Sequence, residues 1–118
     1  MFSSKKTLLV LLLALLAITL FASVKANKVN IDINPNPVKD DAVISVFVDK
    51  DVEGTISIID EKGIVVKTIY SGLIIEGTTH YNWDRTNYAN VRLPEGKYVL
   101  ELTSESKFTS VKKIIILK

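Results

Sequence analysis

The chain has 118 residues with 15 basic and 13 acidic side chains and no cysteine, which excludes both a disulfide scaffold and a thiolate zinc site. With the N-terminal segment 1–26 set aside, 12 basic side chains face 13 acidic ones and the formal charge moves from +2 to −1. A near-neutral domain of this size lacks the basic stripe that a nucleic-acid binder needs, is no acidic disordered tail, and supports one modest core that buries roughly 60% of its unfolded surface.

Residues 1–26 have the layout of a secretory signal peptide. Lys5 and Lys6 form a positive start, Leu8 to Phe21 form the apolar, helical middle, and Ser23-Val24-Lys25-Ala26 supply small side chains for cleavage between Ala26 and Asn27. The apolar stretch is shorter than the about 20 residues that a spanning helix needs, so a retained anchor is the alternative and not the expectation. No cysteine follows it to carry a lipid. The expected organisation is a signal peptide over 1–26 and one exported soluble domain over 27–118, with the membrane met only in transit.

From Asn27 onward there are 13 isoleucines, 11 valines and 7 threonines against 5 leucines and 2 alanines. Branched side chains of this kind suit a pleated surface. Seven strands are predicted, over 28–33, 42–49, 54–60, 64–70, 78–83, 97–104 and 107–117. Ile56 and Ile58 alternate with Thr55 and Ser57, and Tyr98, Leu100 and Leu102 fall opposite Glu101 and Thr103, as half-buried strands do. Asp60-Glu61-Lys62-Gly63 places a glycine where a hairpin turn needs positive φ. Glu76-Gly77, Glu95-Gly96 and Ser104-Glu105-Ser106 punctuate the rest. The predicted fold is all-β, an immunoglobulin-like antiparallel β-sandwich of about seven strands, with a small barrel as the alternative.

Catalytic groups are scarce. The chain has one histidine, His80, and alternation puts it with Asn82 on the face opposite Tyr81 and Trp83. His80 is expected on the solvent side, and Trp83 as a plug between sheets and not a sugar-stacking platform. Asp32, Asn34, Asn36, Asp40 and Asp41 surround the first turn, and Asp49, Asp51 and Glu53 the second. Neither set has the regular spacing of a helix-loop-helix calcium site, so both read as turn chemistry and no metal or other cofactor is expected. A hydrolase is the least favoured class. The final lysines read as a charged edge that blocks strand pairing.

Several short motifs recur in a recognisable order: Asn34-Pro35-Asn36-Pro37-Val38, then Ile56 to Asp60 with Gly63, then Gly77, Leu93-Pro94-Glu95-Gly96-Lys97-Tyr98, and finally Lys112-Lys113-Ile114-Ile115-Ile116-Leu117-Lys118. Together they resemble the C-terminal sorting domains of the bacterial type IX secretion system and the related immunoglobulin-like domain of the flagellar hook-capping protein. The proline motif is expected to form a polyproline-like lead into the second strand, and Gly96-Lys97-Tyr98 to let Tyr98 drop into the sandwich. Trp83-Asp84 is closer to the hook-capping branch, where glycines follow. This chain has Arg85 and Asn90 there, of which Asn90 adopts a left-handed conformation more readily.

The resemblance implies a non-enzymatic exported domain. An inner-membrane translocase would carry it by the N-terminal signal, and an outer-membrane type IX translocon would recognise its last strands. The protein would then reach the medium or the cell surface, with the periplasm as the fallback. The motif positions are Asn34, Pro35, Asn36, Pro37, Gly63, Gly96, Tyr98, Lys112, Lys113 and Lys118. Sorting domains normally trail a large cargo, whereas here the signal runs straight into the domain. The alternative is a free-standing secreted or periplasmic binding or adhesion module that grips a protein or glycan with loops such as Asp84 to Arg92.

Overall fold

The structure is a computed structural model that describes residues 28–104 and 110–118. The signal peptide, its cleavage point at Ala26 and Asn27, and the tip of the last hairpin lie outside the described residues. Seven strands are present: β1 (Val29–Asn34), β2 (Ala42–Val48), β3 (Val52–Ile59), β4 (Val65–Ile74), β5 (Gly77–Trp83), β6 (Gly96–Ser104) and β7 (Ser110–Leu117). They form two antiparallel sheets, one ordered β1-β2-β5 and the other β4-β3-β6-β7. This is an immunoglobulin-like sandwich and not a closed barrel. No helix among the described residues is long and apolar enough to cross a membrane.

Alternation builds the core. Ile31, Ile33, Ala42, Ile44, Val46 and Val48 point inward from the smaller sheet, and Ile56, Ile58, Leu100, Leu102 and Ile115 meet them from the larger one. Each fully buried aliphatic side chain contributes about 1.5–3 kcal/mol relative to exposure. Trp83 is 2% exposed and its indole Nε1 donates to the Thr86 carbonyl at 3.1 Å, so it is a core plug as expected. Tyr98 is buried, and its hydroxyl donates to the Pro94 carbonyl at 3.0 Å. That bond to a carbonyl four residues upstream is a corner found in immunoglobulin-like sandwiches.

One strand, β4, differs markedly from the sequence-based expectation. β4 runs on to Ile74, past the predicted end at Tyr70. Gly72, just past the predicted end, pairs with Gly54 and takes φ 141°. Tyr70 folds over this glycine, with its hydroxyl donating to the Leu73 carbonyl at 2.7 Å, so the strand continues where a side chain would crowd the ring. β7 is described from Ser110, and the expected start at Lys107 lies outside the described residues. The Asp60 hairpin is as expected. Gly63 has φ 83°, and Asp60 Oδ1 accepts from the Lys62 and Ile64 amides, each at 2.9 Å.

Candidate functional site

β7 is the last strand of its sheet. One edge pairs with β6, from Gly96–Leu117 to Thr103–Ser110. The other edge would present a row of unpaired N–H and C=O groups, which invites another strand. The proline motif occupies that edge. Asn36 Nδ2 donates to the Ile114 carbonyl at 2.9 Å, and Asn36 Oδ1 accepts from the Ile116 amide at 3.0 Å. Val38 N–H then donates to the Ile116 carbonyl at 2.7 Å, and Lys118 N–H donates to the Val38 carbonyl at 2.9 Å. Asn36 therefore acts as one peptide unit of an eighth strand, and Val38 supplies the next.

The expectation of a polyproline-like lead is corrected here. The Asn34–Pro35 and Asn36–Pro37 peptide bonds are both cis, and the chain bends through 35–37 instead of running extended. These bends carry the Asn36 carboxamide and the Val38 backbone to β7. Asn34 itself ends β1 opposite Val43 and does not touch β7 through any hydrogen bond seen among the described residues.

Arg85 completes the closure. Its side chain is among the largest that are fully buried. Nε donates to the Leu93 carbonyl at 3.0 Å, while Nη1 donates to the Lys118 carbonyl at 2.8 Å and to the Lys39 carbonyl. Arg85 takes φ 62° and Asn90 φ 58°, the left-handed conformations that glycines would otherwise supply. For arginine that backbone costs about 1–2 kcal/mol, and bonds from a charged donor, about 1.5–3 kcal/mol each, outweigh it. Nearby, Arg92 donates to the Lys39 carbonyl at 2.7 Å and pairs with Asp40 at 3.0 Å.

The remaining motif residues divide by position. Lys113 Nζ reaches Asp32 Oδ1 at 2.6 Å and so ties β7 to β1 across the gap between the sheets. The hydrogen bond from Lys113 holds the Asp32 carboxyl below its ordinary range. Lys112 points outward and meets Glu101 at 3.5 Å. Gly96 and Tyr98 pair with Leu117 and Ile115 on β7. Lys118 takes part through its backbone. Gly63 closes the β3–β4 turn, with open space around it, and is needed for its φ alone. The structure thus gathers Asn36, Gly96, Tyr98, Lys113 and Lys118 around β7, sets Lys112 on its outward face, and leaves Asn34 and Gly63 outside the cluster.

The other candidates hold structural partners. His80 is exposed and shares a hydrogen bond with Ser45 Oγ through Nδ1 at 2.9 Å. Asp51 Oδ1 accepts from the Glu76 amide at 2.8 Å. Asp84 accepts from the Thr86 hydroxyl and amide, and the hydroxyl lowers its pKa. Among the described residues no three acidic or histidine side chains are grouped to hold a metal. A groove of about 900 Å³ runs from Asn34 and Pro35 at the end of β1, past β2, to β5 and β4, where Lys67, Thr68, Tyr81 and Asn82 line it. Tyr81 packs tilted against Tyr70 at 5.5 Å, and burial raises its pKa.

Sequence reasoning missed Arg85 as a clasp. The available signal was a long cation at a position that wants glycine, which persists only if its side chain holds something. Asn36 was found as a motif residue but its partners, some eighty positions away, were not.

The two sheets and the tyrosine corner define the class as an immunoglobulin-like domain. More narrowly, the chain belongs to the family of the FlgD Ig-like domain, whose model matches residues 32–107. The same fold occurs in dimeric latent PorU from Porphyromonas gingivalis, at 20% identity and a TM-score of 0.63 over 78% of this chain and 9% of that one. It also occurs in PorZ of the same bacterium, described as an essential surface component of the type-IX secretion system, at 17% identity and a TM-score of 0.51 over 75% of this chain and 11% of that one. The chain therefore spans about a tenth of the length of either protein. No curated protein matches the sequence.

Proposed function

We propose that this is an exported, non-enzymatic sorting domain of the type IX class, recognised at the outer membrane through its last hairpin. The observation that carries the reading is the terminal strand itself: an apolar β7, held on its far edge by the motif residues Asn36 and Val38, in a fold shared with a module of a type-IX surface component. Family membership supports it. The test is a signal-bearing reporter fused to residues 28–118, a span that contains both sheets and the whole core. In a bacterium with a working type IX system the fusion reaches the surface or the medium, and it stays periplasmic when the translocon is inactivated. Periplasmic retention in both strains overturns the reading.

The open groove between β4 and β5 favours a second reading, a free-standing binding module. Its test is a chemical-shift map with soluble oligosaccharides and extended peptides. Shifts confined to Lys67, Tyr81 and Asn82 support it, and an unperturbed spectrum removes it.

A further inference from the structure

We infer that the terminal hairpin is read through its outward side-chain face and not through the backbone edge of β7. The inference rests on the sorting reading above. A partner that adds a strand to β7 must first displace four hydrogen bonds, those of Asn36 to Ile114 and Ile116 and those of Val38 with Ile116 and Lys118. Strand addition draws its affinity from main-chain groups left unpaired, and along 114–118 that edge is taken.

The outward face is different. Val65 pairs with Ile59, Ile59 with Val99, and Val99 with Ile114, so one apolar row crosses all four strands of the larger sheet. Val65 is 42% exposed and Ile114 52%, and Ile116, one step further along β7, is 40% exposed. On the outer face of the smaller sheet the exposed Val43 and Phe47 stand between polar partners, Asn34 and Asn82 for one and Asn30 and Thr78 for the other. Ile59 and Val99, between Val65 and Ile114, are half-buried, and a contiguous apolar strip with exposed ends marks an interaction surface more strongly than scattered side chains do.

Charge indicates what fits on it. Lys97 lies beside Ile116, and Lys112, two residues from Ile114, is already paired across the strand with Glu101, so Lys97 is the cation that the β7 end of the row presents, while Asp60 and Glu61 stand at the β3–β4 turn. The occupant is an apolar ridge of the recognising outer-membrane protein, with a carboxylate placed to meet Lys97.

The experiment compares three reporter fusions of residues 28–118 in a type IX-competent host. The face variants are Val99→Lys with Ile114→Lys, and the milder Ile114→Thr with Ile116→Thr, which keeps strand-forming side chains. The control variant is Phe47→Thr, which removes an equally exposed apolar side chain from the outer face of the smaller sheet. Far-ultraviolet circular dichroism and thermal melting identify which purified variants are folded, and light scattering gives their oligomeric state. The expected result is at least a tenfold loss of export for a folded face variant and near-normal export of the folded control variant. Normal export of a folded face variant overturns the inference alone, as does an equal loss of export by a folded Phe47→Thr protein. A wild-type dimer that the face substitutions dissociate overturns it as well, because a second copy then owns the face. Retention of the wild-type fusion overturns the sorting reading and this inference with it.

Discussion

The two open sides of the sandwich are treated differently. Between β1 and β7 every feature closes the gap: Asn36 and Val38 pair with the strand edge, Arg85 holds the Lys118 carbonyl from inside, and Lys113 spans to Asp32. Between β4 and β5 lies part of a groove that extends to Asn34 and Pro35, and the loop that follows β5 is hydrogen-bonded to β4 through Tyr88 N–H to the Val66 carbonyl at 3.1 Å, the Tyr88 and Thr68 hydroxyls, and Lys67 Nζ to the Asn87 carbonyl. The contrast teaches where the hydrophobic payload lies. The closed side carries four consecutive apolar residues, Ile114 to Leu117, while β5 on the open side mixes threonine, histidine and asparagine.

The largest test of this contrast is Arg85→Ala. It removes the Arg85 donors from the buried Leu93 carbonyl and the part-buried Lys118 carbonyl, leaves the Lys39 carbonyl to Arg92, and keeps a non-glycine residue at φ 62°, so stability is expected to fall by about 3 kcal/mol. At about 4–8 °C per kcal/mol for a domain of this size, the melting temperature registers it clearly. Arg85→Gly removes the same bonds but relieves the backbone, and should melt above the alanine variant by about 1 kcal/mol equivalent. Equal melting of the two would show that the left-handed backbone contributes nothing.

Next comes Asn36→Ala, which removes two exposed hydrogen bonds to the Ile114 carbonyl and the Ile116 amide at an expected loss of about 1–2 kcal/mol. Hydrogen exchange at the Ile116 amide should quicken more than at the core amides of β3. The matching substitution on the open side, Asn82→Ala, should stay within about 0.5 kcal/mol of the parent. Comparable losses at the two asparagines would erase the asymmetry.

Gly63→Ala sits apart from both sides. An added methyl meets no atom within 4 Å, so only the positive φ opposes it, at about 1 kcal/mol by chemical denaturation. The smallest effect belongs to the ion pair. Asp32 has a lowered carboxyl pKa in the fold, so its contribution is present above the unfolded carboxylate range and is lost as pH falls through the lowered value. Both groups are substantially exposed, which keeps the contribution under about 1 kcal/mol. Asp32→Asn should flatten the stability profile below about pH 4 and differ from the parent less in high salt.

Much of this architecture is written in short-range patterns. Alternation in Ile56–Ile58 and Tyr98–Leu102 placed the strands, and the Asp60 to Gly63 turn followed from the need for positive φ. Trp83 and His80 fell on the faces that alternation assigned. What stayed hidden depends on contacts between distant residues. The Asn36 bonds join positions 78 and 80 residues apart, and the Arg85 bonds to Lys39 and Lys118 have no local signature. The extension of β4 was concealed because Ser71-Gly72 has turn composition, and only the Tyr70 hydroxyl over Gly72 makes it strand. The proline motif was legible as a motif and misread as an extended rod.

The carboxamide of Asn36 has one further consequence. A backbone strand that pairs with β7 would itself expose a new edge, from which chain after chain could be recruited into a growing fibril. A side-chain amide satisfies the strand and has no peptide row behind it. Main-chain pairing on this edge is thereby confined to the single residue Val38, too short a row to extend, and a concentrated population of these molecules finds no template along the stretch from Ile114 to Ile116.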